Sequence, residues 1–237
     1  MDGRGLLTLT FDDAYLNQYE LAYPLLERYG YRGVVYVVAG LVGGYWEGRE
    51  LMGLTHLREL VGRGWEIGSH TYSHPRLNIL APHAVEKELT ASRDWLTRYG
   101  FSPISFAYPF GLYNEDVKAA ASRVYRYSRT VDEGLNELVD SSADLRVCRL
   151  YEDPLAELEG RFDPVERCLA MVRRAKEDGK WAIAMIHGVV ESVGELPTPY
   201  DTFFWITRSK LELFLRQVEA IGIEVATFKE LADVSKR

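Results

Sequence analysis

Apolar residues in this chain fall into short unbroken runs, separated by stretches in which they recur every three or four positions. The runs Leu6–Phe11 (LLTLTF), Gly33–Ala39 (GVVYVVA) and Trp181–Ile186 (WAIAMI) have the length and composition of strands buried on both faces. Trp65–Gly68, Ile104–Tyr108, Leu145–Leu150 and Ile223–Thr227 are shorter strand candidates, and Val124–Thr130 is another, weakened by its arginines. The intervening stretches read as helices. Leu16–Tyr29 closes at Gly30, and Thr55 is a candidate cap for a short helix carrying Leu57, Leu60 and Val61 that stops at Gly62 and Gly64. Pro82 opens a longer helix with Val85, Leu89, Leu96 and Tyr99 on one face and Gly100 at its end, and Asn114 caps a helix through Ala121. Asp163, Pro164 and Glu166 precede a Val165, Leu169, Val172 stripe closed by Gly179. Ser209 and Glu212 form a candidate capping box for the Leu211, Leu215, Val218 helix, which Gly222 ends.

Repeated strand and helix units imply a parallel sheet with helices packed outside it. Seven or eight such units in 237 residues favour an α/β fold of the closed or distorted (β/α) barrel type over an open doubly wound sheet. The stretch Val131–Phe162 fits least well and leaves the count at seven or eight. No Pro/Gly/Ser-rich linker divides the chain, so residues 1–237 are expected to form one domain.

Composition narrows the partners more than the fold. At 47% hydrophobic and 27% charged the chain is of ordinary globular type, and a net charge of −7 without a basic run argues against nucleic acid or an anionic membrane as its main partner. Cys148 and Cys168 lack metal-ligand spacing and are too few for a disulfide framework. No run is long enough to span a membrane, and the first strand begins too soon after Met1 for a signal peptide, so a cytoplasmic address is expected unless a leader has been trimmed.

The candidate chemistry collects where strands end. Asp12 and Asp13 follow the first strand at its carboxyl end, where α/β barrels place their reactive groups, and neighbours leaving a strand point to different sides. One carboxylate can then bind a metal while the other handles a proton, although two acids also simply start turns. After Gly68 comes SHTYSHP, whose His70 and His74 have a spacing that lets both imidazoles reach one ion, or that serves two surface or capping residues. The Pro109, Phe110, Gly111 turn can present the Phe110 and Gly111 N–H groups to a ligand, and His187 leaves the WAIAMI strand on the same rim. A shared rim for all of these makes a metal hydrolase the leading hypothesis.

These residues resemble the polysaccharide deacetylases, carbohydrate esterase family 4, with the chitooligosaccharide deacetylase homology domain, over nearly the whole chain. Thr10, Phe11, Asp12 and Asp13 match the family's T-F-D-D motif; His70, Thr71 and His74 match H-[ST]-x-x-H; Met185, Ile186 and His187 resemble its final motif. The resemblance implies Asp12 as general base, Asp13, His70 and His74 as metal ligands, and His187 as general acid beneath an apolar acetyl pocket. The Phe110 N–H is the oxyanion donor expected for this reaction, and Tyr108, Pro109, Ile186 and Trp205 are the candidate substrate contacts. The implied cofactor is a divalent metal: zinc suits an Asp-His-His set, with cobalt, nickel, manganese or iron compatible. The implied substrate is an N-acylated sugar or oligosaccharide. Hydrolysis of non-sugar amides or cyclic imides is the alternative within the superfamily, and a catalytically inactive glycan-binding protein is the alternative outside it.

One position departs from the family. Its third motif, R-x-P-[FY], has Ala107 where the arginine that orients the base is expected. Arg129, on the following strand candidate, is the replacement this sequence offers. Two loops carry aromatic residues that can stack on a sugar: Tyr45 and Trp46 after the second strand, and Tyr200, Phe203, Phe204 and Trp205 after His187, where a lid competes with a plain hydrophobic cover.

Overall fold

The computed structural model describes residues 5–139, 141–152, 163–192 and 204–234. In chain order the strands are β1 (Leu6–Phe11), β2 (Gly33–Val37), β3 (Tyr45–Trp46), β4 (Arg49–Glu50), β5 (Glu66–Ser69), β6 (Ser105–Ala107), β7 (Tyr127–Glu133), β8 (Ser142–Arg149), β9 (Trp181–Ile186), β10 (Gly188–Val190), β11 (Trp205–Thr207) and β12 (Glu224–Val225). Seven of them form a distorted parallel barrel in the order β1, β2, β5, β6, β7, β8, β9, which closes because β9 pairs with β1 along its full length. The distortion sits at β1. Leu9 to Phe11 pair with β2, whereas Leu6 and Leu7 pair with β12, which fills the lower part of that seam.

Alternation along each strand sorts side chains between two cores. Leu7, Leu9 and Phe11, with Val35, Val37, Ile67, Ala182, Ala184 and Ile186, point outward to the helices. Leu6, Val34, Tyr36, Tyr127, Val147, Trp181, Ile183 and Met185 point into the barrel. Each fully buried aliphatic or Phe side chain contributes about 1.5–3 kcal/mol by leaving water. Phe228 plugs the lower end, its ring centroid 5.3 Å from Tyr127 and 5.2 Å from Trp181. The same period of two carries Asp12 and His187 to the inner side at the upper end and turns Ile186 outward, whereas Asp13 follows the strand in a left-handed conformation.

Helix ends follow the caps the sequence offers, with two corrections. Asn114 Oδ1 accepts from Val117 N–H, Asp163 Oδ1 accepts from Val165 N–H, and Gly179 and Gly222 close their helices in the left-handed conformation. Thr55 caps nothing: helix Leu54–Gly62 starts after Gly53, whose N–H donates to His56 Nδ1 at 3.1 Å. Ser209 and Glu212 are not a capping box either, since helix Arg208–Ile221 is capped by Thr207, whose hydroxyl accepts from Lys210 N–H. Leu16–Tyr29 resolves into a π-turn at Gln18–Ala22 and a short α-helix at Tyr23–Arg28. Val124 and Tyr125 belong to the turn after Glu115–Ser122, because both donate to Ala121 O, so β7 starts later and runs past Thr130.

Candidate active site

One cavity of about 550 Å³ opens at the carboxyl ends of the barrel strands. Asp12, Asp13, His70, His74 and His187 all line it, joined by Tyr108, Phe110 and Trp205. Two expected substrate contacts do not. Ile186 is fully buried and faces the helices, so Met185, one residue earlier, lines the wall instead; Pro109 is buried beneath its turn.

Asp13, His70 and His74 come from two loops held in tight conformations. Asp13 (φ 69°), Thr71 (φ 68°) and His74 (φ 59°) are left-handed, which costs a non-glycine residue about 1–3 kcal/mol and recurs where function fixes the backbone. Asp13 Oδ1 lies 3.5 Å from His70 Nε2 and 3.4 Å from His74 Nε2, and the two Nε2 atoms are 3.2 Å apart. His70 Nδ1 is 2.7 Å from Ala107 O, which requires that nitrogen to carry the proton and leaves the Nε2 lone pair facing Asp13.

The electrostatics of the triad suit a cation. Burial lowers His70 to about 4 and His74 to about 2, the latter with help from His70, so both rings are neutral and the Asp13 contacts are not salt bridges. Burial, then Asp12, then Glu47 push Asp13 well above the usual carboxylate range. Asp13 Oδ1 is buried without a hydrogen-bond partner. An orphaned carboxylate oxygen beside two neutral imidazoles, with ligand atoms all within 4.8 Å, fits a divalent metal.

Asp12 is arranged for a different task. Arg129, fully buried, donates from Nη2 to Asp12 Oδ1. Its Nη1 is fixed by Thr130 O at 3.1 Å and Met185 Sδ at 3.0 Å. The guanidinium lies 5.0 Å from the Tyr36 ring centroid, and that ring fits only because position 68 is glycine: a Cβ there would lie 2.5 Å from it. Burial raises Asp12, but Arg129, His187 and His70 outweigh it and hold the carboxyl below its usual range. His187 Nε2 stands 3.5 Å from Asp12 Oδ2, and burial lowers its pKa against the pull of Asp12.

The walls account for the other sequence expectations. In the Pro109–Gly111 turn, Gly111 N–H is spent on Tyr108 O, so the Phe110 N–H is the one left to face a ligand. The Phe110 ring stands edge-on to His74 at 4.5 Å, and Trp46 flanks the same imidazole at 5.1 Å. Trp205 lies under the Arg49 guanidinium, 4.1 Å away, and against Tyr15, 5.4 Å away. Its ring occupies the space that a Cβ on Gly188 would need. Phe204 is 52% exposed, 5.5 Å from His187; Tyr45 is 68% exposed and does not line the cavity. Tyr200 and Phe203 lie outside the described residues.

Gln18 is a site residue that sequence reasoning missed. Its buried Nε2 donates to Asp12 O at 2.5 Å and His187 O at 2.7 Å, tying the ends of β1 and β9 together. Flanked by Asn17 and Glu20 in a helical stretch of mixed polarity, Gln18 carries no signal in the sequence that marks it out.

Comparison with known proteins agrees with this geometry. The polysaccharide deacetylase family profile matches residues 2–127, more than half of the chain. YxkH of Bacillus subtilis, assigned by name to the polysaccharide deacetylases, is 30% identical over 128 residues, 53% of this chain and 44% of that protein. The poly-beta-1,6-N-acetyl-D-glucosamine N-deacetylase of Staphylococcus aureus is 29% identical over 169 residues, 65% of this chain and 58% of that protein. This chain thus spans about half the length of the curated relatives it matches. The structure of the Streptococcus pyogenes deacetylase PplD, in complex with acetate, superposes with a TM-score of 0.56 at 26% identity, covering 70% of this chain and 69% of that one. Sequence profile, barrel and buried Asp-His-His triad agree: the chain belongs to the polysaccharide deacetylase family.

Proposed function

We propose that this chain is a metal-dependent hydrolase that removes N-acetyl or related acyl groups from an amino sugar or oligosaccharide. One observation carries the reading: the buried Asp13, His70 and His74 ligand atoms share a cavity with an ionised Asp12 and with His187. The relatives named for deacetylation support the reaction class, and the Staphylococcus aureus protein's named substrate supports an N-acetylated glucosamine unit. Zinc is the metal that this ligand set suits best.

A divalent ion held by Asp13, His70 and His74 would supply Lewis acidity for the acyl carbonyl and for the attacking water. Asp12 keeps its charge because Arg129 occupies Oδ1, which leaves Oδ2 to take the water's proton. A well-placed base contributes roughly 10²–10⁴ in rate. His187 is neutral at rest, so the proton it gives to the departing amine arrives during turnover, from Asp12 Oδ2 at 3.5 Å. The two act as a coupled pair. The Phe110 N–H meets the developing oxyanion, a contact whose loss typically costs about 10²–10³.

Metal analysis of the purified protein, followed by acetate and amine release from N-acetylated sugars with and without chelator, tests the proposal. Bound metal with chelator-sensitive release is expected, and Asp13→Ala, His70→Ala and His74→Ala should each lose metal and activity together. Chelator-insensitive turnover by metal-free protein would point instead to imide hydrolysis. Bound metal without turnover on any amide would point to a glycan-binding protein.

A further inference from the structure

The turn between the two imidazoles is held from outside on two sides, one of them by the carboxylate of Glu88. Thr71 and His74 are both left-handed, so the turn needs compensation from its surroundings. On one side, Ala39 N–H donates to Thr71 O at 3.1 Å and Gly40 N–H to Tyr72 O at 2.8 Å, both from the turn that follows β2. Within the turn, His74 N–H donates to Thr71 Oγ1 at 3.0 Å. The N–H groups of Tyr72 and Ser73 converge on Glu88 Oε2, at 3.0 and 2.9 Å, and the Ser73 hydroxyl donates to Oε1 at 2.7 Å.

Glu88 belongs to helix Pro82–Arg98, whose Val85, Leu89 and Leu96 are buried, so the carboxylate is presented from a packed element. Among the described residues no cation pairs with it. Successive N–H groups aimed at one anion form a nest, and such charge-assisted bonds are roughly twice as strong as neutral ones.

We propose that Glu88 is a positioning residue of the metal centre: by fixing the Tyr72 and Ser73 peptides it aims His70 Nε2 and His74 Nε2 at Asp13. The proposal rests on the metal-site reading above. Residues that orient metal ligands from behind typically change affinity about 10–100-fold when removed. Glu88→Ala should raise the metal dissociation constant by that factor, read by competition with a chromogenic chelator, and should alter the visible absorption of the cobalt-loaded protein. Glu88→Gln keeps one oxygen for the two N–H groups without the charge and should fall between. Glu86→Ala, an exposed glutamate on the same helix, should change neither quantity.

A double-mutant cycle separates positioning from general support of the fold. Ser73→Ala should weaken metal binding in the wild-type background and add nothing to Glu88→Ala, because both act through one contact. Should Glu88→Ala fail to fold, Glu88→Gln and Ser73→Ala carry the test. Wild-type affinity and cobalt spectrum in these variants, or additive losses across the cycle, would overturn the proposal while leaving the metal centre intact. A wild-type chain that binds no metal would overturn both.

Discussion

Ala107 and Arg129 face each other as Cα partners across β6 and β7, and the guanidinium of the second reaches Asp12 from beside the first. A shift of one strand at constant height preserves the carboxylate's partner, because adjacent parallel strands lie about 4.8 Å apart and an arginine side chain spans that gap. Arg129 thus gives Asp12 the guanidinium partner that position 107 does not supply.

Arg129→Ala should lower kcat by about 10²-fold or more, since Asp12 loses the charge that keeps it ionised. It should also destabilise the fold by about 3–5 kcal/mol, the usual cost of orphaning one member of a buried pair. The double variant Ala107→Arg/Arg129→Ala should regain part of the rate. Steady-state kinetics and urea unfolding check both effects, and no recovery in the double variant would mean that strand position matters beyond charge.

The elements read most clearly in the sequence were those whose physics is local. Trp181–Ile186 was bounded to the residue, because an apolar run with a polar residue at either end has one way to lie in a closed barrel. Asn114, Asp163, Gly179 and Gly222 cap as expected, since each acts on its own helix. What escaped depends on distant partners. The strand around Arg129 looked weak because its arginine is buried by Asp12, far away in the sequence. The β3–β4 hairpin and the β10–β11 pair were not anticipated, being strands of two or three residues with no period to detect. Asp13, His70 and His74 were legible as motifs, whereas Gln18 and Glu88 bond to backbone groups that the sequence does not display.

Glu66, at the lower end of the barrel, makes stability depend on pH. Burial pushes its pKa up to about 7, against the Ser105 hydroxyl and the Lys229 N–H, which favour the charged form. A raised carboxyl means that the folded chain holds a proton the unfolded chain releases from about 4.5 upward. The associated stability is present below that pH, falls as pH rises to about 7, and is flat above. Glu66→Gln, which resembles the protonated form, should remove this slope and gain on the order of 3 kcal/mol over wild type above pH 7. Urea unfolding of both proteins between pH 4.5 and 8 measures the difference, and parallel curves would refute it.

His187 and Asp12 can be separated by the leaving group. Asp12→Asn and His187→Ala should both keep bound metal, because neither belongs to the Asp13, His70, His74 set, yet both should lose most of kcat on an N-acetyl sugar. An amine needs a proton to depart, whereas the alcohol of an activated ester does not. His187→Ala should therefore recover disproportionately on such an ester, while Asp12→Asn, which still lacks the base for water, should not. The 3.5 Å gap between Nε2 and Oδ2 sharpens the comparison, because a proton shared by the pair makes the limbs of a pH profile belong to both residues and unable to assign either one. Equal losses of His187→Ala on amide and ester would reject proton donation and leave His187 as a residue that shapes the cavity wall beside Met185 and Phe204.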